Sequence, residues 1–280
     1  MLVLASIHKE RCTALYGVPP MFIAELNHPM FDMFDLSCLR TGIMAGSLCP
    51  VELMKQVEEK MFMKVTSVYG LTEASPGMTH SRIDDPQEVR FTTVGHDFEF
   101  TEVKVIDPET GEECPPGVQG EMCNRGYNTM KGYYKNPEAT AEVIDKNGFL
   151  HSGDLGIKDE NGNYRITGRI KDMIIRGGEN IYPVQIENFL SAFDKVKDVA
   201  VIGLPDKRLG EITGAVISIK DGMECTEEEI NEYCMKLPRY KRPKKLIFAD
   251  VPRNATGKIE KPALRKKYGA EYLVAQQNRA

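Results

Sequence analysis

The chain has 280 residues and a formal net charge of -5, which argues against nucleic acid as the main partner, because phosphate binding wants a net basic face. Its length allows two or three domains, and 41% hydrophobic with 28% charged residues is ordinary for a globular protein. Seven cysteines without a C-x-x-C pair offer neither zinc-site spacing nor a dense disulfide framework, which points to a reduced, cytoplasmic compartment. The apolar start, Met1 to Ile7, is too short for a signal peptide and has no basic leader. Nothing approaches the length of a membrane span. The start reads as an apolar strand, then a turn, then a helix, as inside an α/β unit, and a complete domain rarely begins there. The expectation is that an N-terminal half precedes it.

Further along, "CTALYGVP" reads as a strand ending at Pro19-Pro20, and "SCLRTGIMAGSLCP" as a strand running into a glycine turn. "PVELMKQVEEKM" has Pro50 in a first-turn position and apolar residues at 51, 53, 54, 57 and 61, which is helical spacing. "KVTSVYGLTEAS" is a strand entering a turn. Strand–helix–strand order predicts a parallel sheet covered by helices. From about 90 to 165 short β-rich runs ("FEFTEVKVID", "GEMCNRG", "FLHSGDLGIKD", "NYRITGR") are split by turn signals. Asn161-Gly162 predicts a two-residue hairpin, "PEATAEVI" one inserted helix, and the whole a small barrel or distorted sheet. From about 172 the order is mixed: a helix at "VQIENFLSAF", strands at "VKDVAVIGLPD" and "EITGAVISIKDG", and a helix capped by Thr226 with acidic residues in its first turn. A strand at "KKLIFADVP" and a short helix at "KPALRKK" complete a small α+β domain.

Several short stretches carry chemistry-bearing residues. "SVYGLTEASP" (67–76) places an aromatic, a turn glycine, a hydroxyl and a carboxylate at a strand end, where open α/β sheets bind ligands. Tyr69 can stack on a flat base, Thr72 can donate to a phosphate, and Glu73 can hold Mg²⁺, which takes one or two carboxylates plus phosphate oxygens. The plainer alternative is a strand-to-turn with a capping threonine. In "HSGDLG" (151–156), Asp154 can accept both hydroxyls of a ribose, or can bond its own turn. "GRIKD" (168–172) offers Arg169, a rigid fork of donors, or a solvated charge run. "IRGGENIYP" (175–183) has Gly177 and Gly178, which permit positive φ and close approach to backbone, or form a hairpin tip. "PRNATGKIEK" (252–261) sets Lys258 after Thr256-Gly257. It is not a P-loop, and alone it reads as a surface lysine in a turn.

In this order the motifs resemble the adenylate-forming (AMP-binding) superfamily of acyl-CoA synthetases, amino-acid-activating domains and luciferases, over essentially the whole chain. "TALYGVPPMF", "GIMAGS", "YGLTEASP", "GRIKDMIIRGGENIYPVQIE" and "NATGKIEK" look most like a fatty acyl-CoA synthetase of the medium-chain type. The resemblance implies the end of a large α/β domain over 1–90, a β-barrel-like subdomain over 91–168, and a mobile α+β domain over 169–280. It implies two steps: a carboxylate attacks the α-phosphate of ATP to give acyl-adenylate and pyrophosphate, then the thiol of coenzyme A takes the acyl group and AMP leaves. By similarity, Tyr69 with Gly70 packs on adenine, Gly46 and Ser47 add to the adenine wall, and Thr72 touches phosphate. Glu73 holds Mg²⁺, Asp154 and Arg169 hold the ribose, and Lys258 meets the charge built during adenylation. Lys171 matches the family's hinge, and the Gly177-Gly178 loop admits the pantetheine arm. The implied partners are ATP, coenzyme A and a carboxylic acid, most simply a fatty acid, with a homodimer compatible and no nucleic acid or membrane segment.

The sequence departs from the family pattern in places. No Gly-, Ser- and Thr-rich phosphate loop with its lysine lies before residue 46, Ser152 stands where the family often has threonine, and the tryptophan common before it is lacking. The basic run "RYKRPKK" (239–245) reads as solvated surface near the phosphates of coenzyme A. A ligase for an aryl or succinylbenzoate-type acid, and a non-catalytic nucleotide-binding remnant, are the alternative readings.

Overall fold

The apolar start is a helix: α1 spans Leu2–Glu10 and buries Leu4 and Ile7, so the predicted opening strand is corrected. Two buried positions three apart are one face of a helix, whereas a strand would bury alternate residues. The computed structural model describes residues 2–47, 49–254 and 257–277, and the chain divides into two units, Met1–Ile166 and Thr167–Ala280.

In the first unit, β1 (Ala14–Gly17), β2 (Thr41–Ala45) and β3 (Lys64–Tyr69) run parallel. β4 (Thr79–His80) and β5 (His96–Asp97) extend the sheet antiparallel. Pro19 does more than stop β1, since it opens helix α2 (Pro19–Leu26), a position where the missing N–H costs nothing. α3 (Val51–Met61) buries Leu53, Met54, Val57 and Met61, the predicted stripe, while Val51 stays exposed. Each such fully buried side chain contributes about 1.5–3 kcal/mol. Helix α4 (Gln87–Thr92) was not legible in the sequence; its Arg90 is buried and bonded to Glu58 of α3 and to the Val65 carbonyl of β3.

The β-rich part is an open sheet of four strands, in the order β6 (Thr101–Ile106), β7 (Gln119–Gly126), β8 (Leu150–Lys158) and β9 (Tyr164–Arg169). The described strands close no barrel, so of the two predicted forms it is the sheet. α5 (Pro137–Val143) interrupts it, capped by the Asn136 side chain, which accepts from the Ala139 N–H at 3.0 Å. The connection from β8 to β9 takes the five residues 159–163 rather than a two-residue turn. The Asp159 carboxylate accepts the N–H groups of Asn161 and Asn163, and that side chain sets the loop length.

The second unit holds β10 (Ile174–Arg176), β11 (Glu179–Ile181), α6 (Pro183–Ser191), β12 (Val196–Asp206), β13 (Gly210–Ile219), α7 (Glu227–Cys234), β14 (Lys245–Phe248) and α8 (Lys261–Gln277). β13 pairs with β12 along its length, and with β10 and β14 on its other side. β12 explains its own continuous apolar run. Val199 and Val201 pack with Ile186, Leu190 and Ile230, whereas Ala200, Ile202 and Leu204 pack with Leu264 and Tyr268 of α8. A strand covered on both faces has no polar alternation. Thr226 and Glu229 form a reciprocal capping box on α7. α8 has 17 residues, longer than predicted from "KPALRKK".

Candidate functional site

The first unit assembles a cluster at the C-terminal ends of its parallel strands, the edge where such sheets bind ligands. Gly46 and Ser47 follow β2 and are exposed; Gly46 has φ +83°. Tyr69 ends β3, and its hydroxyl donates to Asp154 Oδ2 at 2.9 Å across 85 residues of sequence. Gly70 follows it because nothing larger fits: a Cβ there would lie 2.0 Å from the Pro76 carbonyl oxygen. Residues Thr72–Ala74 then form one 3-10 turn preceded by Leu71, which makes no side-chain cap. Thr72 is exposed and does not cap the turn, which removes the plainer reading of a capping threonine.

Asp154 is set by a bulge. Two steps along β7, from Glu121 to Cys123, oppose four along β8, from Leu155 to His151. The extra residues let the strand re-aim a side chain, as bulges beside functional sites do. Gly153 in that bulge has φ +70° and donates its N–H to Glu121 Oε1 at 2.8 Å, while the Asp154 N–H meets Ser152 Oγ at 3.1 Å. Asp154 is buried. Ser152, read as a mild departure, holds the Asp154 backbone.

Glu73 is half-buried, and its Oε1 accepts the Tyr133 hydroxyl at 2.8 Å. That hydrogen bond pushes the Tyr133 phenol above its usual range, which keeps it a donor. It leaves Oε2 for a cation. A lone hard carboxylate oxygen beside a hydroxyl suits Mg²⁺, which takes its remaining ligands from phosphate and water.

The remaining candidates belong to the second unit. Arg169 is exposed at the end of β9. Lys171 is exposed in a single 3-10 turn, Ile170–Asp172. Asp172 next to it is held by Arg265 at 2.6 Å, and Lys261 bridges Glu187 at 2.7 Å. Gly177 and Gly178 join β10 to β11 as a two-residue hairpin tip, with φ of +59° and +88°. Positive φ at both central residues is what such a tight turn requires. Gly178 is exposed and a Cβ there would meet nothing. Arg176 and Gly177 open onto a cavity of about 820 Å³ also lined by Lys207, Arg208, Arg239 and Lys244. Lys258 is exposed on a loop closed by the Arg253–Ile259 bridge, and its N–H donates to Asn254 Oδ1 at 2.9 Å. Thr256, two residues before Lys258, lies outside the described residues.

Sequence reasoning missed Glu121 and Tyr133, which brace Asp154 and Glu73. Glu121 left no local signal, because the Gly153 N–H that it accepts lies 32 residues away. Tyr133 left no signal, because its partner is 60 residues away.

The model of the AMP-binding enzyme matches residues 1–134, and that of the AMP-binding enzyme C-terminal domain matches 185–258. The chain belongs to the AMP-binding enzyme family. Among relatives, the Bacillus subtilis (strain 168) protein YngI, whose name marks it as a candidate acyl-CoA synthetase, is 53% identical over 95% of this chain and 49% of its own length. The mitochondrial medium-chain acyl-CoA ligase ACSF2 of Danio rerio is 45% identical over 94% of this chain and 44% of its own. ATP-bound MatB from Rhodopseudomonas palustris superposes with a TM-score of 0.88 at 33% identity, over 97% of this chain and 53% of that one. The chain thus spans about half the length of the relatives it matches. Within the AMP-binding frame, Gly46, Ser47 and Tyr69 to Glu73 fall in the first matched segment and Lys258 ends the second. Asp154, Arg169, Lys171 and the Gly177-Gly178 tip lie between them. No helix among the described residues is long and apolar enough to cross a membrane.

Proposed function

We propose that the chain works as an AMP-forming acid–thiol ligase of the acyl-CoA synthetase type, with a fatty acid as the carboxylic acid. The observation that carries this reading is the Tyr69–Asp154 hydrogen bond, which ties the end of the parallel sheet to the β8 bulge. With its hydroxyl anchored, the Tyr69 ring has a fixed plane for adenine beside Gly46, Ser47 and Gly70. The Asp154 carboxylate accepts from the ribose hydroxyls, and Arg169 is the other ribose ligand. Thr72 donates to the phosphates. Glu73 would hold Mg²⁺, which when bound would supply positive charge to the phosphate oxygens. Lys258 meets the acid carboxylate and the phosphate oxygens as adenylation proceeds. The medium-chain name of the Danio rerio relative supports the fatty acid.

The domain scheme is part of the proposal: 1–90 completes the large domain, 91–168 is its β-rich subdomain, and 169–280 turns about Lys171 between steps. A short segment absorbing a large backbone change is how hinges work. In the second step the exposed Gly177-Gly178 tip lets the pantetheine arm pass, and the basic cavity beside it takes the phosphates of coenzyme A.

Two expected outcomes test this. Asp154→Ala is expected to weaken AMP binding about tenfold, the loss of one charge-assisted hydrogen-bonding group; calorimetric titration of AMP into the folded chain measures it, and unchanged affinity would remove Asp154 from the ribose site. Gly178→Leu is expected to slow thioester formation from preformed acyl-adenylate by about tenfold while adenylation stays within a few-fold. Its positive φ costs a leucine about 1–2 kcal/mol locally, so a thermal melt belongs beside the assay. Equal slowing of both steps would deny the tip its selective role. ATP–pyrophosphate exchange with a panel of fatty, aryl and succinylbenzoate-type acids decides the acid class.

A further inference from the structure

A cluster outside the nucleotide contacts brings three metal-ligating side chains together. Glu121 and Cys123 lie two apart on β7, and His151 is the cross-strand partner of Cys123 on β8. Cys123 Sγ is 3.6 Å from His151 Nδ1, and Glu121 Oε2 is 2.9 Å from the same nitrogen. One ligand atom from each lies within 4.8 Å of the others. Glu121 and Cys123 are buried and His151 is partly open to solvent.

We propose that Glu121, Cys123 and His151 form a binding site for a zinc-class divalent cation, with the fourth position open to water. The convergence on one nitrogen carries the argument. A thiol–imidazole–carboxylate relay sets the thiol on one ring nitrogen and the carboxylate on the other. Here both meet Nδ1, where a single proton serves only one of them, whereas one cation serves all three. At bond lengths of about 2.3 Å to sulfur and 2.0–2.1 Å to nitrogen, two ligands on a tetrahedral ion sit about 3.5 Å apart. The sulfur–nitrogen spacing has that value already. The carboxylate–nitrogen spacing widens by roughly 0.5 Å to accept the ion. Glu121 is oriented from behind, because its other oxygen accepts the Gly153 N–H at 2.8 Å; such outer hydrogen bonds fix ligating carboxylates. Thiolate and imidazole select Zn²⁺, Co²⁺ or Cu over Mg²⁺, so this site is separate in chemistry from Glu73. The ligands come from two strands, so no local cysteine–histidine spacing marks them in the sequence.

The test is titration of the reduced full chain with Co²⁺, followed by the thiolate-to-cobalt charge-transfer band and the intense visible bands of a tetrahedral ion. One equivalent is expected to bind, to be displaced by Zn²⁺, and to persist in excess Mg²⁺. Cys123→Ser is expected to abolish the charge-transfer band. His151→Gln is expected to weaken Co²⁺ roughly tenfold or more, and circular dichroism checks that both variants keep the wild-type fold. A wild-type chain that is folded and gives no charge-transfer band overturns the proposal. So does a band that survives Cys123→Ser, which would assign it to another of the cysteines.

Discussion

Lys258→Ala is expected to slow formation of acyl-adenylate by about 10²–10³-fold, the loss that follows removal of one preorganised group at developing charge. The structure separates this effect from stability. Lys258 is exposed, and the loop that carries it is held by other residues. Arg253 makes a two-pronged contact with Asp198 of β12, Nε to Oδ2 and Nη2 to Oδ1, both at 2.9 Å. The Asn254 side chain fixes the loop from within. An exposed side chain outside these contacts changes stability by no more than about 0.5 kcal/mol, so the variant should unfold where the wild type does. The second half-reaction, from preformed acyl-adenylate and coenzyme A, should stay within a few-fold, because an interaction realised in one transition state is spent on that step alone. The measurement is ATP–pyrophosphate exchange in a preparation active with the wild-type sequence. Exchange at the wild-type rate would remove Lys258 from the chemistry, and equal loss in both half-reactions would make it a general binding residue.

How much of this was legible in the sequence depends on how far each feature reaches along the chain. Local patterns translated well. The α3 stripe, the Thr226 cap and the existence of strand β12 follow from spacing within one element, whereas its burial on both faces came from the structure. The opening segment failed for a local reason as well. Leu2 to Ile7 is an apolar run too short for periodicity to separate strand from helix, and only burial of Leu4 and Ile7 on one face decides it. The β8–β9 turn departs from the two-residue form that Asn161-Gly162 predicts because the Asp159 carboxylate organises a longer loop. Tyr69, Asp154, Glu73 and Lys258 drew notice as residue types in suggestive turns, and family resemblance gave them roles. The braces around them were invisible, because Tyr133 to Glu73 and Glu121 to Gly153 are contacts between elements distant in sequence.

The largest stability effect is expected from Arg90→Leu, which should destabilise the first unit by about 3–5 kcal/mol at neutral pH, the cost of leaving one member of a buried ion pair behind. Arg90 is only 5% exposed at its side chain and its partner Glu58 is 15%. The guanidinium bonds both the Glu58 carboxylate and the Val65 carbonyl, so one side chain fastens α4 to α3 and β3. Burial by itself would raise the Glu58 carboxyl, but hydrogen bonds from Arg90, the Gln87 amide and the Val65 N–H hold it below the usual carboxylate range. A carboxyl depressed in the folded state contributes stability that is present above its unfolded pKa, about 4.3, and is lost as pH falls through the folded value. In Arg90→Leu the sign reverses. Glu58 loses its cation, burial dominates and the folded carboxyl rises, so acid relieves the variant while it weakens the wild type. The gap between the two in urea unfolding should therefore be widest at pH 7 and narrow as pH falls below about 5. Replacing both residues, Glu58→Met with Arg90→Leu, should recover much of the loss, because an apolar pair of similar volume leaves no charge stranded. A gap that stays constant with pH, or a double variant no better than the single one, would mean that Arg90 acts through packing of its stem and not through the pair.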